Sequence, residues 1–328
     1  MNKDIKEQIL SLKRSGRGYK TISRETGVNL NTVKSICRRS GLFRDNPEHR
    51  ALFTIPETKY STELATIKPL PPQRVITGHK QTDAYLWVLE VIKTGEPVHI
   101  AAAEAALEKL TITPKEAQER YTRYLQHSGA GWTSVFSTMW LDNPQHFISS
   151  AKSQRDKAAK VRGAFGSYDA AMEPTKPERL MMAAYGEIYG EGLYGWTEEE
   201  KAQGSIKGDR IFEAWDARKA VSKGFRDVLP EPYTLSDVVR EYLYWAWLVD
   251  MRSAAIKEID PDGYGDDYPE ISDREDYLDK LLETISPRNQ QEALEVLKWY
   301  LQSERHQGCM DADSDGVYLN LIGAHNAE

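Results

Sequence analysis

Only two cysteines, Cys37 and Cys309, occur in the 328 residues. They are too few for a disulfide framework and fit a reducing compartment, so a cytoplasmic protein is expected. No stretch approaches the ~18–20 consecutive apolar residues of a membrane span. The charged opening MNKDIKEQ lacks the apolar core of a secretory signal. The seven histidines show neither an H-x-x-x-H spacing nor a Cys-x-x-Cys partner, which leaves zinc without a ligand set. There is no G-x-S-x-G nucleophile elbow. The glycines of residues 183–196, AAYGEIYGEGLYGW, form no nucleotide fingerprint, because no G-x-G-x-x-G stands between a strand and a helix and no G-K-[ST] follows. The acidic neighbours Glu187, Glu191 and Glu198 to Glu200 argue against base stacking there. No cofactor is expected, and a binding protein is favoured over an enzyme.

What the chain does have is an uneven charge. The whole carries −7, yet residues 1–50 hold 12 Lys and Arg against 5 Asp and Glu. A basic head on an acidic remainder points to a head that meets a polyanion and a body that does not.

The head reads as three short helices. Residues 3–14 place Ile5, Ile9, Leu10 and Leu12 near helical spacing. Gly16 and Gly18 interrupt them, and a second helix runs from about Lys20 to Thr26. Gly27 stops it, since glycine adopts positive φ freely. After the turn Val28-Asn29-Leu30 a third helix runs to about Arg39. Ile22 and Val33 are placed to meet across the turn, Val28 and Ile36 to close the core, and Cys37 to face inward. Asn31, Thr32, Lys34, Ser35 and Arg38 then face outward with the amide, hydroxyl and cationic groups that read base edges in a major groove. Lys20, Thr21, Arg24 and Arg39 are placed for phosphates.

The run G-x-G-Y-K-x-I-x-x-x-x-G-x-x-x-N-T-V-K-S-x-C-R-R resembles the helix-turn-helix of the resolvase/recombinase-associated type. Small DNA-binding proteins of bacterial mobile elements carry it too. Ser23 stands where such motifs usually carry Ala, a small departure. The resemblance covers about the first forty residues and implies duplex DNA as partner. It transfers no activity, since no segment resembles a recombinase catalytic domain.

The rest reads as an all-α body. The expected organisation is a helix-turn-helix domain at 1–42, a proline-bearing linker at 43–80, an α-helical domain at 81–306 and an acidic tail at 307–328. The linker rests on Pro47, Pro56, Pro69, Pro71 and Pro72. Thr113-Pro114-Lys115-Glu116 is a helix start, and the helices on either side of residues 110–113 are expected to pair as a hairpin. Lys152, Arg155, Lys157, Lys160 and Arg162 read as a solvated basic helix face, with phosphate contact as the sharper alternative. Ile211, Phe212, Trp215 and Val221 are expected on one apolar side of a helix. Residues 242–249 are apolar nearly all round and are expected to be buried, as core or as a dimer seam.

Asp311, Asp313, Asp315 and Gly316 match the first half of a calcium loop, but position twelve is Ile322 rather than Glu. An acidic tail is the favoured reading. The expected function is sequence-specific double-stranded DNA binding, for transcriptional regulation or for organising phage or other mobile-element DNA. A homodimer is expected to present two heads, and the acidic domain is a candidate surface for a protein partner. The alternatives are a DNA-targeted enzyme or nuclease-like effector with a catalytic C-terminal domain, and a packaging or assembly adaptor.

Overall fold

The computed structural model describes residues 3–14, 17–40, 44–57, 68–128, 138–190, 192–260, 263, 265, 268–303, 305, 306 and 312–323. Among them the regular structure is helical and no strand occurs, so the chain is all-α, as its sequence leads one to expect. In chain order the helices are α1 (Lys3–Arg14), α2 (Tyr19–Thr26), α3 (Leu30–Ser40), α4 (Pro47–Leu52), α5 (Lys80–Lys93) and α6 (Pro97–Leu107). They continue with α7 (Pro114–His127), α8 (Pro144–Phe165), α9 (Tyr168–Met172), α10 (Lys176–Tyr189) and α11 (Glu198–Gln203). The last are α12 (Arg210–Ser222), α13 (Leu235–Ile259), α14 (Pro269–Thr284), α15 (Gln290–Gln302) and α16 (Ala312–Ile322). The chain forms two compact units: Met1–Pro56, Glu173–Asp250 and Gly265–Glu328 make one, and Glu57–Met172 with Met251–Tyr264 the other.

In the first unit α13 buries Leu235, Val238, Tyr242, Tyr244, Trp245 and Leu248, while α14 buries Ile271, Leu278 and Leu282. A buried charge cluster lies among them. Arg274 and Glu241 are both fully buried and doubly hydrogen-bonded, Nε to Oε1 at 2.7 Å and Nη2 to Oε2 at 3.0 Å. Burial alone would push the Glu241 carboxyl up, but Arg274 and His49 outweigh it and hold it at about 2. The third arm of Arg274 donates to the Gly224 carbonyl at 2.7 Å. That carbonyl belongs to a left-handed turn in which Lys223, Gly224 and Phe225 all have positive φ. Only glycine fits its centre, because a Cβ at Gly224 would lie 2.2 Å from Cβ of Tyr277.

One expectation for this unit needs correction. Part of the expected linker is helix α4, and it is anchored. Asn46 caps it and donates its N–H to Asp237 at 2.8 Å, His49 Nε2 meets Glu241 at 2.7 Å, and Phe53 is fully buried against Tyr244 and Trp245. Asp45 pairs with Arg240 at 2.6 Å and Arg288 at 3.0 Å. The prolines hid this, because Pro47 sits at a first helical position, where its missing N–H costs nothing. The aromatic side of α12 faces outward. Phe212 and Trp215 are exposed and pack edge-on to each other, while the helix seats its small face, with Ala214 buried beside Gly195. α13 keeps one outward strip, Leu243, Ala246 and Val249, on the side where the expected dimer seam would lie.

The expected acidic tail also contains structure. α16 buries Val317 and Leu321, and the Asn320 amide donates to the Leu282 and Ile285 carbonyls at 2.6 and 2.8 Å. Those are orphan acceptors at the end of α14. Gly316 is therefore part of a helix and not the sharp turn of a calcium loop. Asp311 and the side chains of Asp313 and Asp315 lie outside the described residues.

In the second unit α5 is the hub. Its Tyr85, Val88, Leu89, Val91 and Ile92 are buried with Ile100 and Ala103 of α6, Ala117 of α7, and Ile148 and Ala151 of α8. Thr113 and Glu116 form the capping box that opens α7, with Pro114 in the first turn. The expected hairpin is looser than its sequence implies, because α6 and α7 each pack chiefly on α5. The proline segment lies on α5 as well, with Trp87 Nε1 donating to the Pro71 carbonyl at 2.8 Å.

Candidate nucleic-acid interface

The head is a three-helix bundle with a small core of its own. Ile9, Ile22, Val33 and Cys37 are fully buried and Ile36 nearly so, with Ile5, Leu10, Leu12, Tyr19 and Val28 packed against them. Burial pushes the Cys37 thiol up, which suits a core residue and not a nucleophile. Gly27 ends α2 with φ of 66°. The turn is then fastened twice: Ser23 Oγ donates to the Val28 carbonyl at 2.6 Å, and the Asn29 side chain accepts the Asn31 N–H at 2.9 Å. Ser23 thus contributes a bond that alanine could not make.

The residues singled out for base contact share the outer side of α3 to different degrees. Asn31 and Thr32 are exposed in its first turn, where the helix end is electropositive. Lys34 and Ser35 are half-buried. Arg38 lies in α3, but its side chain is outside the described residues. Of the phosphate set, Lys20, Arg24 and Arg39 are exposed and Thr21 is half-buried. Arg39 is partly engaged, since its Nη2 donates to Ser35 Oγ at 2.8 Å and its Nε to the Ser35 carbonyl at 3.3 Å. Ser35 keeps its hydroxyl hydrogen and Arg39 its Nη1 free of this pairing. Arg17, exposed just before α2, belongs to the same cationic set and was missed. Its place beside the Gly16–Gly18 break was the signal for it. α3 contains no Asp or Glu, so nothing on it opposes a phosphate.

No family model, curated protein or solved structure matches the chain.

The site must therefore be judged on its own chemistry. Among the described residues no group of His, Cys, Asp and Glu could hold a metal ion, and no helix is long and apolar enough to cross a membrane. The basic residues of α8 are a mixed case: Lys152, Arg155 and Lys160 are exposed, but so is Asp156, and Lys157 is half-buried.

Proposed function

We propose that the protein binds double-stranded DNA sequence-specifically, as a transcriptional regulator or as an organiser of mobile-element DNA. The observation that carries this is the outer side of α3. An amide, hydroxyls and cations stand on a helix free of carboxylates, over a buried core that fixes its position against α2. Asn31, Thr32, Lys34, Ser35 and Arg38 read base edges; Lys20, Thr21, Arg24 and Arg39, joined by Arg17, hold phosphates. The resemblance of residues 16–39 to resolvase-type helix-turn-helix segments supports the same docking, with α3 in the major groove.

One such head makes few contacts and binds weakly alone. The reading therefore includes a homodimer that sets two heads on half-sites about one helical turn, ~34 Å, apart. The test is selection of duplexes from a random pool by the full-length chain. A recovered motif with two-fold symmetry is expected, and Asn31→Ala should relax its preference at one position. Recovery of unselected sequence, by wild type and variant alike, would defeat the proposal.

A further inference from the structure

We infer a second nucleic-acid site in the other unit: a cleft on α7 that binds the phosphate of a nucleotide unit and stacks its base. The cleft has a volume of about 270 Å³ and is lined by Thr77, His79, Arg120, Arg123, Tyr124 and His127. Four of these lie on α7 at i, i+3, i+4 and i+7, which places them on one helix face. All four are exposed. No carboxylate lines the cleft among the described residues.

The donors are held in place. Asp83 accepts the Thr77 N–H at 2.8 Å, the Thr77 hydroxyl at 2.7 Å and the Gly78 N–H at 3.1 Å, which fixes the turn that carries His79. His79 Nδ1 lies 3.2 Å from the Thr82 N and 2.9 Å from the Thr82 hydroxyl, which orients the ring and leaves Nε2 toward the cleft without a bond to Thr82. On α7, Arg123 spends its Nε on the Glu119 carbonyl at 3.2 Å and keeps its terminal nitrogens. Neither Arg120 nor Arg123 makes an ion pair within 4.0 Å among the described residues. Glu116, one turn before Arg120, accepts from Thr113 at 2.9 and 3.0 Å, and Thr113 first, with Arg120 in a smaller part, holds its carboxyl below the usual range. Two guanidinium groups one turn apart suit bidentate grip on a phosphate. Tyr124, stacked on Tyr121 with centroids 6.3 Å apart, offers an exposed ring beside them. Cations with an adjacent exposed aromatic are the pattern of single-strand binding. The site is independent of the head and stands or falls separately from it.

The test is binding of a fluorescein-labelled thymidine oligonucleotide, of ATP and of inorganic pyrophosphate to the full-length protein. Wild type is compared with Arg120→Ala/Arg123→Ala and with Tyr124→Ala. The double arginine variant should lose about tenfold or more in affinity for the oligonucleotide or for ATP, and Tyr124→Ala should lose affinity for the same probe. Tighter binding of the oligonucleotide assigns the site to a strand, and tighter binding of ATP to a free nucleotide. Unchanged affinity in the double arginine variant, or no binding by wild type, overturns the inference. Pyrophosphate bound as tightly as the nucleotides, with Tyr124→Ala silent, overturns the base contact.

Discussion

Arg274→Ala is the most demanding perturbation of the body. The side chain is fully buried and makes three hydrogen bonds, two to Glu241 and one to the Gly224 carbonyl. Removing it leaves Glu241 buried with only His49 and the Trp245 N–H, at 2.7 and 3.3 Å, to compensate its charge. Breaking a buried ion pair from one side costs about 3–5 kcal/mol. The orphaned Gly224 carbonyl adds about 1–3 kcal/mol, in a turn that already carries two non-glycine residues at positive φ. A total of roughly 4–8 kcal/mol is comparable to the whole stability of many domains, about 5–15 kcal/mol. Urea unfolding followed by circular dichroism at neutral pH should therefore show a large fall in midpoint. Replacing both Arg274 and Glu241 by Met should cost less than Arg274→Ala alone, since no buried charge is then left unpaired. A loss below about 1.5 kcal/mol for Arg274→Ala would refute the reasoning.

Other outcomes follow from single positions. Gly224→Ala should destabilise by several kcal/mol, about 3 or more, because the new Cβ meets Tyr277; unfolding midpoints check it. Glu241 is held below its unfolded value, so its contribution is complete above the usual carboxylate range and is lost as pH falls from about 4.5 toward about 2. Acid titration of wild type should lose ~3 kcal/mol across that window, and Glu241→Gln should lack this part of the slope. Glu275 behaves oppositely. Burial pushes it up to about 7 despite Arg305 beside it, so its contribution is complete below about 4.5 and gone once pH rises through about 7. Glu275→Gln should flatten stability against pH across that interval, as urea midpoints at several pH values would show.

Helix identity was largely legible in the sequence, because capping and periodicity are local. Thr113-Pro114-Lys115-Glu116 became the capping box it spells, and Ile22, Val33, Ile36 and Cys37 became one core. What was illegible depends on distant partners. His49 and Asn46 look like loop residues until Glu241 and Asp237, some 190 positions away, are placed beside them. The exposed faces of α12 and α13 were not legible for a related reason. Apolar content marks what can be buried, and neighbours decide what is. At the candidate interface the sequence placed the α3 side chains on one helix but could not foresee that Arg39 would lie on Ser35.

The most direct test of the DNA reading is the salt dependence of duplex binding by the full-length chain, followed by fluorescence anisotropy. Wild type is compared with a variant carrying Lys20→Gln, Arg24→Gln and Arg39→Gln. If Arg17, Lys20, Arg24 and Arg39 each neutralise a phosphate, the slope of log K against log salt is about −4 for one head and about −7 for two. The variant should lose most of that slope together with its affinity. Equal slopes and affinities in the two proteins would contradict the claim that this head docks on DNA.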